Sequence, residues 1–163
     1  MNDSETKLRK RIKTWIITFI IFLALSGITA FPVETELRIL LNNNLIPAFL
    51  QNWISNIYQA IKITNENFPY LAYGYDWLAF AHLVISVAFI GPLRDPVRNI
   101  WVIQFGMIAC LMVFPLAFIA GPIRQIPLYW QIIDCSFGVF GLIPLYICYK
   151  KIRNLEAIEA GQK

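Results

Sequence analysis

Residues 75–99, YDWLAFAHLVISVAFIGPLRDPVRN, join an apolar run of 17 residues, Trp77–Leu93, to a short turn bearing Arg94 and Arg98. The run is long enough to cross the hydrocarbon of a bilayer as a helix. It also holds His82, the single histidine of the 163-residue chain. A charged side chain at the centre of a membrane helix costs about 2.5 to 3.5 kcal/mol on insertion scales, so an ionisable group inside such a run is a candidate functional residue.

Outward from this stretch, three more runs have the same character: Trp15–Phe31, Ile100–Ile123 and Leu128–Tyr149. Hydrophobic residues make up 58% of the chain and charged ones 15%, well below the roughly 25% charged that soluble domains carry. The expectation is an all-α integral membrane protein, a single polytopic domain over 1–163 with four transmembrane helices in an up-down bundle. The helices are expected at about 12–31, 76–93, 97–121 and 128–150, with an amphipathic outer segment over 32–75 and a short, solvated cytoplasmic tail over 151–163. The runs leave no room for a separate soluble domain.

The formal charge of +4 does not indicate a nucleic-acid partner, because the basic residues are segregated. Eleven of the fourteen fall on one side of a chain that threads four times: Lys7, Arg9, Lys10, Arg11, Lys13, Arg94, Arg98, Lys150, Lys151, Arg153 and Lys163. Only Arg38, Lys62 and Arg124 fall on the other. The positive-inside bias therefore predicts cytoplasmic N- and C-termini, in what reads as a bacterial cytoplasmic membrane. Cys110, Cys135 and Cys148 lie in apolar runs without a CxxC pair, which excludes a thiol redox centre of that type and leaves buried structural thiols.

The basic start and apolar first run resemble a signal peptide, but Ile28 is a poor residue three places before a break at Ala30, so an uncleaved signal anchor is expected. Between the first two runs, Val33, Leu37, Leu40 and Leu41 keep helical period until Asn42, Asn43 and Asn44 break it. Pro47 opens a longer pattern with Phe49, Leu50, Trp53, Ile54, Ile57, Tyr58 and Ile61 on one face and neutral polar groups opposite. This helix reads as a cap or as a lid over a lipid-accessible cavity. Phe68, Tyr70, Tyr73, Tyr75 and Trp77 then form an aromatic belt at the headgroup level.

Gly91 and Pro92 are expected to stop the second helix, with Asp95 capping the third and Pro96 in its first turn. The tetrapeptides GPLR (91–94) and GPIR (121–124) place arginines at helix ends, where they reach lipid headgroups, partners or the last carbonyls. Gly106, Cys110, Val113, Ala117 and Gly121 form a small-residue row suited to close helix contact, and Pro115 sits mid-span. If that row docked another membrane protein, it would be open in the isolated chain. Gln104 belongs with the cytoplasmic boundary.

Counting from the outer aromatic level, His82 and Asp134 lie at similar depth, roughly 7 to 8 Å below it at 1.5 Å per residue. Tyr75, Asp76, Ala79, His82 and Ser86 on the second helix, with Gln131 and Asp134 on the fourth, are the candidate ligand pocket. A His-Asp pair suits acid-base or proton-relay chemistry, and equally suits mutual satisfaction of two polar groups in hydrocarbon. No nucleophile elbow accompanies Ser86 or Ser136, and one histidine without an acidic cluster supports no metal centre, so no cofactor is expected.

Three function classes follow: binding of a lipid or other apolar small molecule in an outer-half pocket, an accessory role beside another membrane protein or a second copy, and an enzyme using His82 and Asp134. The layout resembles small tetraspan families such as DoxX-like and EXPERA-type proteins in architecture alone. Architecture does not carry function.

Overall fold

In a bilayer every backbone N–H and C=O must find its partner inside the protein, which leaves helices as the natural fate of the four apolar runs. The computed structural model describes residues 3–43 and 45–161, and among them all regular structure is helical. The segments are α1 (Asp3–Ala30), α2 (Val33–Asn42), α3 (Ala48–Asn67), α4 (Pro69–Ala88), the five-residue α5 (Ile90–Arg94), α6 (Ile100–Ile123) and α7 (Leu128–Gly161). Four stretches are long and apolar enough to cross a membrane: Glu5–Ala30, Pro69–Arg94, Ile100–Ile123 and Leu128–Gly161. Only 17–22% of the residues in their most apolar windows are buried, so Phe22, Trp101, Leu116, Phe137 and many others face outward. Such a surface fits a multi-pass membrane protein, for which lipid is the solvent.

Element boundaries differ from the sequence expectation where charge and proline chemistry act locally. α1 begins at Asp3, ahead of the apolar run, because its charged start is a good helix former; Arg9 Nε donates to Glu5 Oε1 at 3.0 Å one turn away. α4 begins at Pro69, so the aromatic belt is already helical: Tyr73, Trp77 and Phe80 stack edge to face, with centroids 5.8 and 5.9 Å apart. Gly91 and Pro92 do not end the second span. The break falls at Phe89, and Pro92 sits in the first turn of α5, where its missing N–H is not needed. Asp95 does not cap α6 either. Its Oδ1 accepts from the Arg98 N–H at 3.0 Å within the 95–99 turn, Pro96 lies in that turn, and Asn99 precedes α6.

The chain forms two compact units, Met1–Ile21 with Val87–Lys163, and Phe22–Ser86. In the first, α6 and α7 pack along each other through the small-residue row. A Cβ at Gly138 would lie 2.6 Å from the Cys110 carbonyl oxygen, and one at Gly141 would lie 2.8 Å from Cys110 Sγ. Gly106 meets the Phe89 ring and Leu145 in the same way. One face of the tail is packed: Ile152 and Leu155 are fully buried, as are Ile12 and Ile16, and Arg9 also donates to Glu159, while Arg153, Asn154, Ala157 and Ala160 are exposed. The apolar residues at 152 and 155 continue the buried stripe of α7 that contains Leu145 and Cys148.

The two GPxR tetrapeptides close their turns through the same atom. The Gly91 carbonyl accepts from the Asp95 N–H at 3.0 Å and from Asn99 Nδ2 at 3.3 Å. The Gly121 carbonyl accepts from the Ile126 N–H at 2.9 Å, and the Pro122 carbonyl from the Gln125 N–H at 3.1 Å. This second pattern is a Schellman ending with Gln125 at φ 58°, the left-handed position that glycine usually takes. It turns the chain from α6 directly into α7.

In the second unit, Pro32 and Pro47 precede α2 and α3. α2 ends where Asn43 Nδ2 donates to the Ile39 carbonyl at 2.8 Å; Asn44 of the expected breaker triplet lies outside the described residues, as does Lys163. On α3, Ile54 is buried and Trp53, Ile57, Tyr58 and Ile61 are half-buried, whereas Gln51, Asn52, Asn56 and Gln59 are exposed. The latter part of α1 approaches α4 at backbone distance, since a Cβ at Gly27 would lie 2.8 Å from the Ala79 carbonyl oxygen and 3.1 Å from His82 Cβ.

Candidate functional site

The seven pocket residues expected from sequence divide between the two units. Tyr75, Asp76, Ala79, His82 and Ser86 belong to Phe22–Ser86, and Gln131 and Asp134 to the other. Within the second unit, three of the five have structural partners. Tyr75 Oη donates to Asn65 Oδ1 at 2.7 Å, and Asn65 Nδ2 donates to Glu34 Oε2 at 2.6 Å, so a polar chain ties α4, α3 and α2 together. His82 Nδ1 lies 2.8 Å from the Leu78 carbonyl oxygen one turn back, an arrangement in which that ring nitrogen is the donor. Ser86 Oγ donates to the Leu83 carbonyl at 2.7 Å. Ala79 is fully buried under Gly27, and Asp76 is half-buried beside Tyr75.

The other unit presents a different situation. Its Schellman turn leaves a cleft of about 180 Å³ between the end of α6 and the start of α7, walled by Leu116, Ala117, Ala120, Gly121 and Ile126. Gln131 and Asp134 enter it from α7, and Arg124 from the turn. Gln131 is buried and seated: Nε2 donates to the Ile126 carbonyl at 2.7 Å, and its Cδ occupies the space a Gly121 side chain would take. Asp134 stands six residues into α7, about 9 Å along the axis from Leu128. Neither its half-buried carboxylate nor the exposed Arg124 guanidinium has an ion-pair or hydrogen-bond partner among the described residues. A carboxyl group and a guanidinium thus line one largely apolar cleft without pairing with each other.

Arg124, grouped from sequence with Arg94 and Arg98, therefore shares a cleft with Gln131 and Asp134. Arg94, the last residue of α5, and Arg98, on the 95–99 turn, sit exposed at the other end of α6. Sequence reasoning did not find Asn65 and Glu34 as the partners of Tyr75, nor Ala120 and Ile126 as cleft walls. The GPIR tetrapeptide was the available signal for the cleft, since it ends α6 one residue before a left-handed Gln125. A second hollow, about 270 Å³ between α2 and α3, is lined by Leu40, Leu41, Ile46 and the neutral Gln51, Asn52 and Ser55. It is larger but holds no group able to orient or transform a charged ligand.

No three His, Cys, Asp or Glu side chains among the described residues are grouped to hold a metal ion. The chemistry the cleft offers is recognition: a carboxylate acceptor, a guanidinium donor fork and an apolar wall. The chain matches no protein-family model, no curated protein and no solved structure.

Proposed function

We propose that this chain is a small multi-pass protein of the bacterial cytoplasmic membrane that binds a lipid or another apolar small molecule in the cleft at the α6–α7 turn. The observation that carries the reading is Asp134, a half-buried carboxylate without a partner among the described residues, in a largely apolar cleft on a helix long and apolar enough to cross a membrane. Such a group is costly unless something satisfies it. The segregation of basic residues supports an up-down arrangement with both termini in the cytoplasm. The amphipathic 32–75 segment and the 124–127 turn are then external, and the cleft opens in the outer half of the membrane.

The accessory-subunit reading rested on a small-residue row free to dock a partner. Gly106, Ala117 and Gly121 are buried within the chain's own unit, which favours the binding reading. The acid-base reading of His82 is weakened by the bond of Nδ1 to its own helix.

Organic extraction of the purified protein, followed by mass analysis of what it releases, tests the proposal. The wild type is expected to carry a stoichiometric apolar or amphipathic molecule. Ala120→Phe, which fills the cleft while leaving Asp134 and Arg124 in the sequence, is expected to lose it. Equal release from both proteins, or none from either, rules the reading out.

A further inference from the structure

We propose that the occupant of the α6–α7 cleft is the headgroup of an ethanolamine-type phospholipid, its ammonium on the Asp134 carboxylate and its phosphate on the Arg124 guanidinium. The inference deepens the binding reading and rests on it. The first argument is charge complementarity. Asp134 and Arg124 line the same cleft, and neither is engaged elsewhere among the described residues, so the site presents one negative and one positive group held apart. A zwitterion pairs with both, whereas an anionic ligand leaves Asp134 unmet and a cationic one leaves Arg124 to solvent alone.

Size is the second argument. At about 180 Å³ the cleft is smaller than the roughly 300 to 1,000 Å³ of pockets that enclose whole drug-sized ligands. It suits a headgroup, with the acyl chains left outside on the exposed apolar surface of α6, where Leu116, Ile119 and Ile123 are 65–73% exposed. The order of the groups agrees: Arg124 is on the turn and Asp134 six residues into α7 in the same cleft, so on the proposed topology the guanidinium is the group nearer the membrane surface.

The third argument separates ethanolamine from choline. Quaternary ammonium groups are recognised by aromatic cages, and the lining of this cleft contains no aromatic residue. A carboxylate acceptor instead favours an ammonium with N–H donors, which charge-assisted hydrogen bonding strengthens.

Native mass spectrometry of the full chain in detergent, titrated with phosphatidylethanolamine, phosphatidylcholine and phosphatidylglycerol of matched acyl chains, tests the assignment. The ethanolamine lipid is expected to bind at least tenfold more tightly than either competitor. Asp134→Asn, nearly isosteric and expected to keep the wild-type melting temperature, should bring ethanolamine and choline lipids to within about twofold of each other. Arg124→Gln, on the exposed turn, should weaken both several-fold and leave their ratio intact. Preference for the choline or glycerol lipid, or an ethanolamine preference that survives Asp134→Asn, overturns the headgroup assignment. If no lipid is selected but another apolar compound is held and lost in Ala120→Phe, the headgroup assignment falls and the cleft reading stands; binding of nothing in any variant removes both.

Discussion

The polar groups near Tyr75 and those near Asp134 began as one candidate pocket, and the structure gives them opposite situations. Around Tyr75, a phenol, an amide and a carboxylate satisfy one another across three helices. Around Asp134, a carboxylate and a guanidinium line a common cleft and satisfy nothing among the described residues. In a protein bathed in hydrocarbon the first condition is ordinary architecture, because each buried polar group needs a partner. In the second, the exposed guanidinium has solvent but the half-buried Asp134 carboxylate is uncompensated, and a bound molecule is the simplest compensation. The difference between the two lies in the company the residues keep.

The strongest way to break the comparison is to destroy the seat of Gln131, which shapes the cleft without contributing charge. Gly121→Val would place a side chain where a Cβ already lies 2.6 Å from Gln131 Cδ, expelling the amide and its bond to Ile126. Overpacking and the lost hydrogen bond together should destabilise the chain by about 3 kcal/mol, read as a lowered melting temperature in detergent. Adding Gln131→Ala to Gly121→Val should recover about half of that loss. An absence of recovery would mean that Gly121 is needed for something other than room for Gln131.

The direct test sets Asn65→Leu against Asp134→Leu. Removing Asn65 strands Glu34 and Tyr75 together, an expected loss of about 2 kcal/mol. Removing Asp134 strands nothing among the described residues, so the ligand-free protein should be unchanged or gain up to about 1 kcal/mol, since a half-buried carboxyl is replaced by an apolar group. Paired thermal melts after lipid removal decide it. If both substitutions destabilise equally, Asp134 has a structural partner and the contrast between the sites disappears. Tyr75→Phe removes one bond of the network and should lose about 1 kcal/mol on the same assay, less than Asn65→Leu.

Four spans were legible because hydropathy and length act through composition over some twenty residues and need no knowledge of contacts. The helix after Pro47 was legible for the same reason, since helical period survives in sequence, although Phe49 of its expected apolar face is 70% exposed. The packed face of the tail was illegible because Ile152 and Leu155, like the exposed Ile158, are scattered among charged residues, and their burial follows from a helix that continues unbroken to Gly161. The Tyr75 network was illegible because Asn65 resembles Asn52, Asn56 and Asn67 in sequence; only the fold, bringing residues 31 positions apart together, distinguishes it. The cleft was half legible: Asp134 and Gln131 stood out as polar residues in an apolar run, but Arg124 seemed to belong with Arg94 and Arg98 until the turn brought it to the same hollow.

That turn supports the smallest and most discriminating prediction. Gln125 holds φ 58° in a Schellman ending, a conformation that places a Cβ under strain and that glycine adopts freely. Gln125→Gly should therefore stabilise the α6–α7 hairpin by about 0.5 to 1 kcal/mol, offset in part by the greater freedom of glycine in the unfolded chain. Because Gln125 does not line the cleft, the same variant should release the same amount of bound molecule as the wild type. A rise in melting temperature with unchanged occupancy would separate the stability of the turn from the chemistry of Asp134 and Arg124. A fall in occupancy would instead mean that the strained residue holds Arg124 in place, and that the open site depends on backbone geometry as much as on its two charges.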